Sequence, residues 1–165
     1  MVEAPVLHRV LLASIVLGLG FSVYAALEVV DPSLSAACSI YRTVSCGTVL
    51  HSGHTTFPLG SAIPDWLWGV AGFAALLALD VPLLRTYHLR YLQAIFGLSI
   101  AGVGLAAVFA GVEAFLIHAL CPICLGAYLS GVGVLVSSGW LLRLRRAEEP
   151  REVPEPAPEL PTPGP

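Results

Sequence analysis

The sequence predicts an all-α integral membrane protein, a four-helix bundle with a long extracytoplasmic loop between its first and second helices. Three observations carry that reading. Of the 165 residues 56% are hydrophobic and 12% charged, four apolar segments are each near or above spanning length, and the basic residues collect on one side of them. This composition excludes an ordinary soluble domain. The net charge of −3 says little, because the acids concentrate toward the C-terminal end, and no nucleic acid partner is expected.

The segments run over residues 10–30, 66–84, 91–120 and 121–142. The boundary between the last two needs an argument, because residues 91–142 contain no Lys or Arg and a single charged residue, Glu113. One straight helix of that length would reach about 78 Å, against about 30 Å of hydrocarbon, so the chain must turn back. Pro122 is the only proline in this stretch, and proline is tolerated at the first position of a helix. Cys121 then falls at the cap and Cys124 in the first turn of the fourth span. The third span is long and is expected to tilt or project beyond the lipid, with Gln93 and His118 at the interfaces. The first span exceeds the ~7–15 apolar residues of a signal peptide core, and the small-residue site at Ser35-Ala36-Ala37-Cys38 lies too far downstream for cleavage.

All eight basic residues are arginines. Arg9 precedes the first span, Arg85 and Arg90 separate the second from the third, and Arg143, Arg145, Arg146 and Arg151 follow the fourth; only Arg42 lies on the other side. The positive-inside rule therefore places both termini in the cytoplasm of a multi-pass protein in the cell inner membrane. The loop over residues 31–65 and the turn at Cys121 face outward, with all four cysteines on the side where disulfides form and persist. Residues 1–146 make one membrane domain. Residues 147–165, rich in Pro and Glu, have no apolar face to bury and are expected to be a disordered cytoplasmic tail.

A connection as long as 31–65 in a small bundle is more often functional than passive. It carries Cys38, Cys46, His51, Ser52 and His54, and it ends in Asp65-Trp66-Leu67-Trp68, whose tryptophans read as interface anchors. Four cysteines allow three pairings, and spacing alone leaves them open. The Cys38/Cys46 spacing is not that of usual zinc ligands, so no metal is expected. Inert stapling remains open for that loop pair.

For Cys121-Pro-Ile-Cys124 stapling is a weaker reading, since a helix N-terminus favours thiolate and such pairs exchange electrons readily. Tyr128 lies one turn after Cys124 on the same face. Glu113, eight residues before Cys121, is costly in lipid unless it faces the bundle, where it serves as an interhelical hydrogen-bond partner or a proton relay. Glu28 and Asp80 are expected to pair or snorkel at the interfaces. His51, His54 and His118 are expected near the outer face, solvated or hydrogen-bonded.

This ordered set resembles the vitamin K epoxide reductase family, especially its bacterial homologues that drive disulfide formation. The residues that carry the resemblance are Cys38 and Cys46, Ser52 six positions on, Gly69 early in the second span, and Cys121-Pro-Ile-Cys124 followed by Tyr128. The resemblance implies a bundle around a quinone, ubiquinone or menaquinone. Cys121 and Cys124 would be the active pair, with Cys124 against the quinone. Cys38 and Cys46 would be the shuttle, with Cys46 exchanging with Cys121. Ser52 and Tyr128 fall where the family's ligand-facing hydroxyls fall. Asp65 stands where the family commonly has Asn, and would have to be protonated to donate to a quinone oxygen. No thioredoxin-like domain follows the bundle, so a separate extracytoplasmic thioredoxin-like (DsbA-like) partner is expected. Reduction of a quinone epoxide and a non-catalytic, disulfide-stapled scaffold are the alternative readings.

Overall fold

Helix α1 (Glu3–Val30) contains proline only in its first turn, at Pro5, and is otherwise almost wholly apolar. Its backbone groups bond within the helix, as hydrocarbon requires. The computed structural model describes residues 3–31, 33–34, 38, 41, 44–52, 56, 58, 63–86 and 88–148. The expected tail beyond 148, together with Arg42 and His54, lies outside the described residues. After α1 the chain turns at Asp31, whose carboxylate accepts the Ser33 hydroxyl at 2.7 Å and the Ser33 amide at 3.0 Å. This local turn competes with further helix. The same two donors, the hydroxyl first, hold the Asp31 carboxyl below its ordinary range.

Among the described residues of the outer loop, Cys46–Leu50 form a short helix, α2. Helix α3 (Asp65–Thr86) starts directly after Pro64 and carries Pro82 near its end, where the missing N–H leaves the Ala78 carbonyl without its helical donor. A short connection leads into α4 (Leu89–Val112) and then into a π-helical turn, Glu113–Ile117. The last helix, α5 (Pro122–Glu148), begins with Pro122 and ends with Arg145 and Arg146, whose charge suits a helix C-terminus. Among the described residues there are no strands, only isolated bridges. Four candidate spans result, Pro5–Val30, Asp65–Leu83, Leu89–Ile117 and Pro122–Ala147.

The third span departs from a uniform helix over 91–120. It widens into the π turn and stops at Ile117, because His118 adopts a left-handed backbone, φ 56°. The Ala119 amide donates to the Glu113 carbonyl at 3.2 Å, closing the end. The three residues from Ala119 to Cys121 cross to α5 without helix.

α1 packs against α3 and α5, and α4 packs against the same two helices, closing a ring of four. Leu11, Ile15, Phe73, Leu76, Ile95 and Val134 fill its centre. Close approach depends on small residues. A Cβ at Gly18 would overlap the Phe73 ring, and one at Gly126 would lie 2.9 Å from the Phe21 ring. Hydroxyls inside the bundle bond back to carbonyls four residues earlier, Ser22 to Gly18 at 2.9 Å, Ser130 to Gly126 at 2.8 Å and Ser138 to Val134 at 2.6 Å, so they cost little when buried. Val16, Leu17, Leu129 and Val136 point outward and are more than half exposed, the pattern of a surface solvated by lipid.

Two acids are deeper than expected. Asp80, 1% exposed, sits 3.5 Å from His8 Nε2, tying α3 to α1 inside the bundle. Glu28 is fully buried, and among the described residues neither of its carboxylate oxygens has a hydrogen-bond partner. It does not snorkel.

Candidate active site

The site is assembled by docking the outer loop onto the segment that precedes α5. Val44 forms a parallel bridge with Leu120, and the Ser45 amide donates to the Leu120 carbonyl at 3.1 Å. Ser45 then caps α2 by accepting the Thr48 amide at 3.3 Å, which makes Cys46 the first residue of that helix. The pinning of Ser45 to Leu120 brings the next residue of each segment, Cys46 and Cys121, together. Both are fully buried, and the Cys121 thiol donates to Cys46 Sγ at 3.1 Å. Cys46 is joined by a disulfide to Cys38, with 5.8 Å between their Cα atoms. Cys121 and Cys124 are free thiols.

On the α5 side, Pro122 at the first helical position leaves Cys121 as the cap. The Leu125 amide donates to the Cys121 carbonyl at 2.9 Å, and the Cys124 amide to Cys121 Sγ at 3.3 Å. The two sulfurs thus have different surroundings. Cys121 faces the loop disulfide, and Cys124 lines a cavity between the helices. A thiol in contact with a disulfide can exchange with it, and a second thiol two residues into the helix can resolve the product. Cys38, Cys46 and Cys121 sulfurs lie within 4.8 Å of one another, a spacing that would also suit a metal ion. The Cys38–Cys46 disulfide removes two of the three thiolates such a site would need.

The cavity has a volume of about 140 Å³. It is close to the ~150 Å³ apolar space known to hold benzene, so a single ring fits. Phe21, Phe73 and Phe109 supply aromatic walls, and Asp65, Cys124 and Tyr128 supply polar atoms. Such a wall, apolar with a few convergent polar groups, suits a flat ring with oxygens at its edge. The Asp65 carboxylate accepts the Trp66 amide at 2.7 Å. Tyr128 donates its hydroxyl to Glu113 Oε1 at 2.8 Å.

Of the seven residues singled out in the sequence, four converge at the sulfur centre and Asp65 and Tyr128 join Cys124 at the cavity. Ser52 does not; it follows α2 half-buried, its amide donating to the Val49 carbonyl at 3.2 Å, and is not among the lining residues. Trp66 and Trp68 do more than anchor an interface, since both line the cavity, Trp68 being 40% exposed as well. Gly69 lines it too, and a Cβ there would come 2.5 Å from the Ser22 hydroxyl of α1. Sequence reasoning missed the three phenylalanines, for which no spacing signal exists.

Residues 9–138 match the profile of the Vitamin K epoxide reductase family. The chain belongs to that family. The match takes in both cysteine pairs and most of all four spans, and identifies the protein as a multi-pass membrane oxidoreductase whose redox function is carried by cysteines. No curated protein is similar enough in sequence to match it.

Proposed function

We propose that this vitamin K epoxide reductase family member oxidises an extracytoplasmic thioredoxin-like protein and passes the electrons through two cysteine pairs to a quinone, supporting disulfide formation outside the cytoplasm. The observation that carries the reading is the sulfur alignment. Cys121 Sγ touches Cys46 Sγ at 3.1 Å on one side, while Cys124, one turn on, forms part of the cavity wall. The arginine distribution supports an inner-membrane orientation with the cysteine end outward.

The partner's dithiol attacks the Cys38–Cys46 disulfide and leaves oxidised, converting the loop pair to two thiols. Cys46, as thiolate, attacks Cys121 of a Cys121–Cys124 disulfide and releases Cys124. Cys38 then attacks Cys46 and releases Cys121, so the loop is a disulfide again and the helix pair a dithiol. The arrangement observed, a loop disulfide beside two free helix thiols, matches the end of this exchange. A quinone supplies the sink when bound, because it takes up the two electrons and two protons of a dithiol. The chain's own part is to hold Cys124 at the wall, to exclude water with Phe21, Phe73 and Phe109, and to present the Tyr128 hydroxyl and the Asp65 carboxyl to ring oxygens. Two inert staples would leave no free thiol against a disulfide, which weighs against a passive scaffold.

The test is quinol formation in liposomes containing the protein, a quinone and a reduced thioredoxin-like donor. Cys124→Ser should abolish it. Quinol formation at the wild-type rate in that variant would remove the helix pair from the pathway.

A further inference from the structure

Glu113 sits behind the cavity rather than in its wall, fully buried in the π turn that ends α4. Its Oε2 accepts the Cys121 amide at 3.1 Å and its Oε1 accepts the Tyr128 hydroxyl at 2.8 Å. Cys124, one turn before Tyr128 on the same face of α5, lies close enough to this carboxylate for the two groups to influence each other's charge. Two hydrogen bonds from around the redox pair therefore end on one side chain, and both Tyr128 and the neighbouring Cys124 face the cavity. An acid in an apolar span is costly and is usually retained for function. Hydrogen bonding alone does not require one. A glutamine would accept the Cys121 amide through its oxygen and donate to the Tyr128 oxygen, keeping the same geometry without the charge.

We propose that Glu113 is the proton carrier between the Cys124 thiol and the Tyr128 hydroxyl. This rests on the reading of the cavity as a quinone site. Oxidation of the Cys121–Cys124 dithiol releases two electrons and two protons as the disulfide forms. The electrons go to the quinone, and the Cys124 proton goes to the Glu113 carboxylate. Tyr128 gives its hydroxyl proton to an acceptor oxygen and takes the Glu113 proton in return, which restores both groups. The second proton, from Cys121, completes the quinol by a route this side chain does not touch. The titratable groups that face Glu113 are Cys124 and Tyr128 on α5 and Asp65 on α3, and any pH profile belongs to this set.

The experiment compares wild type, E113Q and Tyr128→Phe in liposomes, reading two half-reactions separately. Reduction of the helix pair by a reduced thioredoxin-like donor, without quinone, is followed by thiol alkylation. Quinol formation is followed with its pH profile and solvent isotope effect. E113Q should still accumulate the reduced helix pair with the donor alone and should slow quinol formation by about 10²-fold, the low end of what a positioned proton-transfer group contributes. It should also lose one ionisation from the profile. Tyr128→Phe should slow the same step, and the double variant should be no slower than the worse single one. Quinol formation in E113Q within twofold of wild type, with an unchanged profile, overturns the proposal. Should E113Q not accumulate, Tyr128→Phe decides alone, and a wild-type rate and isotope effect there overturn it equally. If Cys124→Ser still reduces quinone, the functional reading itself fails; if only E113Q is unaffected, that reading stands and the proton route does not.

Discussion

Cys121 Sγ lies 3.1 Å from Cys46 Sγ across 75 positions of sequence, held there by Val44 and Ser45 against Leu120. The hydrogen bond is made to Cys46, while Cys38 Sγ lies within 4.8 Å. Cys38, its disulfide partner, is the sulfur released when Cys46 is attacked.

Removing Cys38 should therefore trap the exchange. In Cys38→Ser, Cys46 becomes a free thiol beside Cys121, and mild oxidation should yield a Cys46–Cys121 disulfide, read by mass spectrometry of non-reduced peptides. A dominant Cys46–Cys124 linkage would contradict the alignment.

The glycines separate packing from propensity. Gly126→Ala places a methyl 2.9 Å from the Phe21 ring, and overpacking of this kind costs about 1–3 kcal/mol. Phe21 also forms part of the cavity wall, so ligand affinity should fall with stability. Gly97→Ala meets nothing within 4 Å and should be neutral, or stabilise by up to about 1 kcal/mol through helix propensity. Thermal unfolding in detergent distinguishes the two, and equal effects would refute the packing argument.

Glu28 offers a test of buried polarity. Among the described residues both of its oxygens lack hydrogen-bond partners at full burial, so Glu28→Met, of similar length and apolar, should leave the thermal midpoint unchanged or higher. A drop of several degrees would mean that the carboxyl has a stabilising role that the structure does not display.

Much of the fold was legible in the sequence. The four spans and the start of α5 at Pro122 follow from length, apolarity and the placement of proline. The position of Cys121 as cap follows as well, because proline suits the first helical position and no other in that stretch. The end of the third span was not legible: Ala114 to His118 contain neither Gly nor Pro, and the π turn with left-handed His118 arises where the chain wraps around Glu113. The site was legible in its chemistry and only partly in its placement. Tyr128 was findable from its one-turn offset to Cys124. Glu113 was legible as an interhelical hydrogen-bond partner, but its partners, Tyr128 and the Cys121 amide, were not, nor were the phenylalanine walls and the position of Ser52 outside the cavity.

The difference has a physical origin. In lipid each span must satisfy its own backbone, so which residues become helix, and how many helices there are, depends on local composition. Helices that are apolar all round carry no polar stripe to say which face turns inward. Which faces meet depends on glycine and ring contacts between segments distant in the chain, such as Gly18 with Phe73 and Gly126 with Phe21. Those contacts, with the clamp of the outer loop on Leu120, bring four sulfurs, a carboxylate and a ring-sized cavity to one end of the bundle.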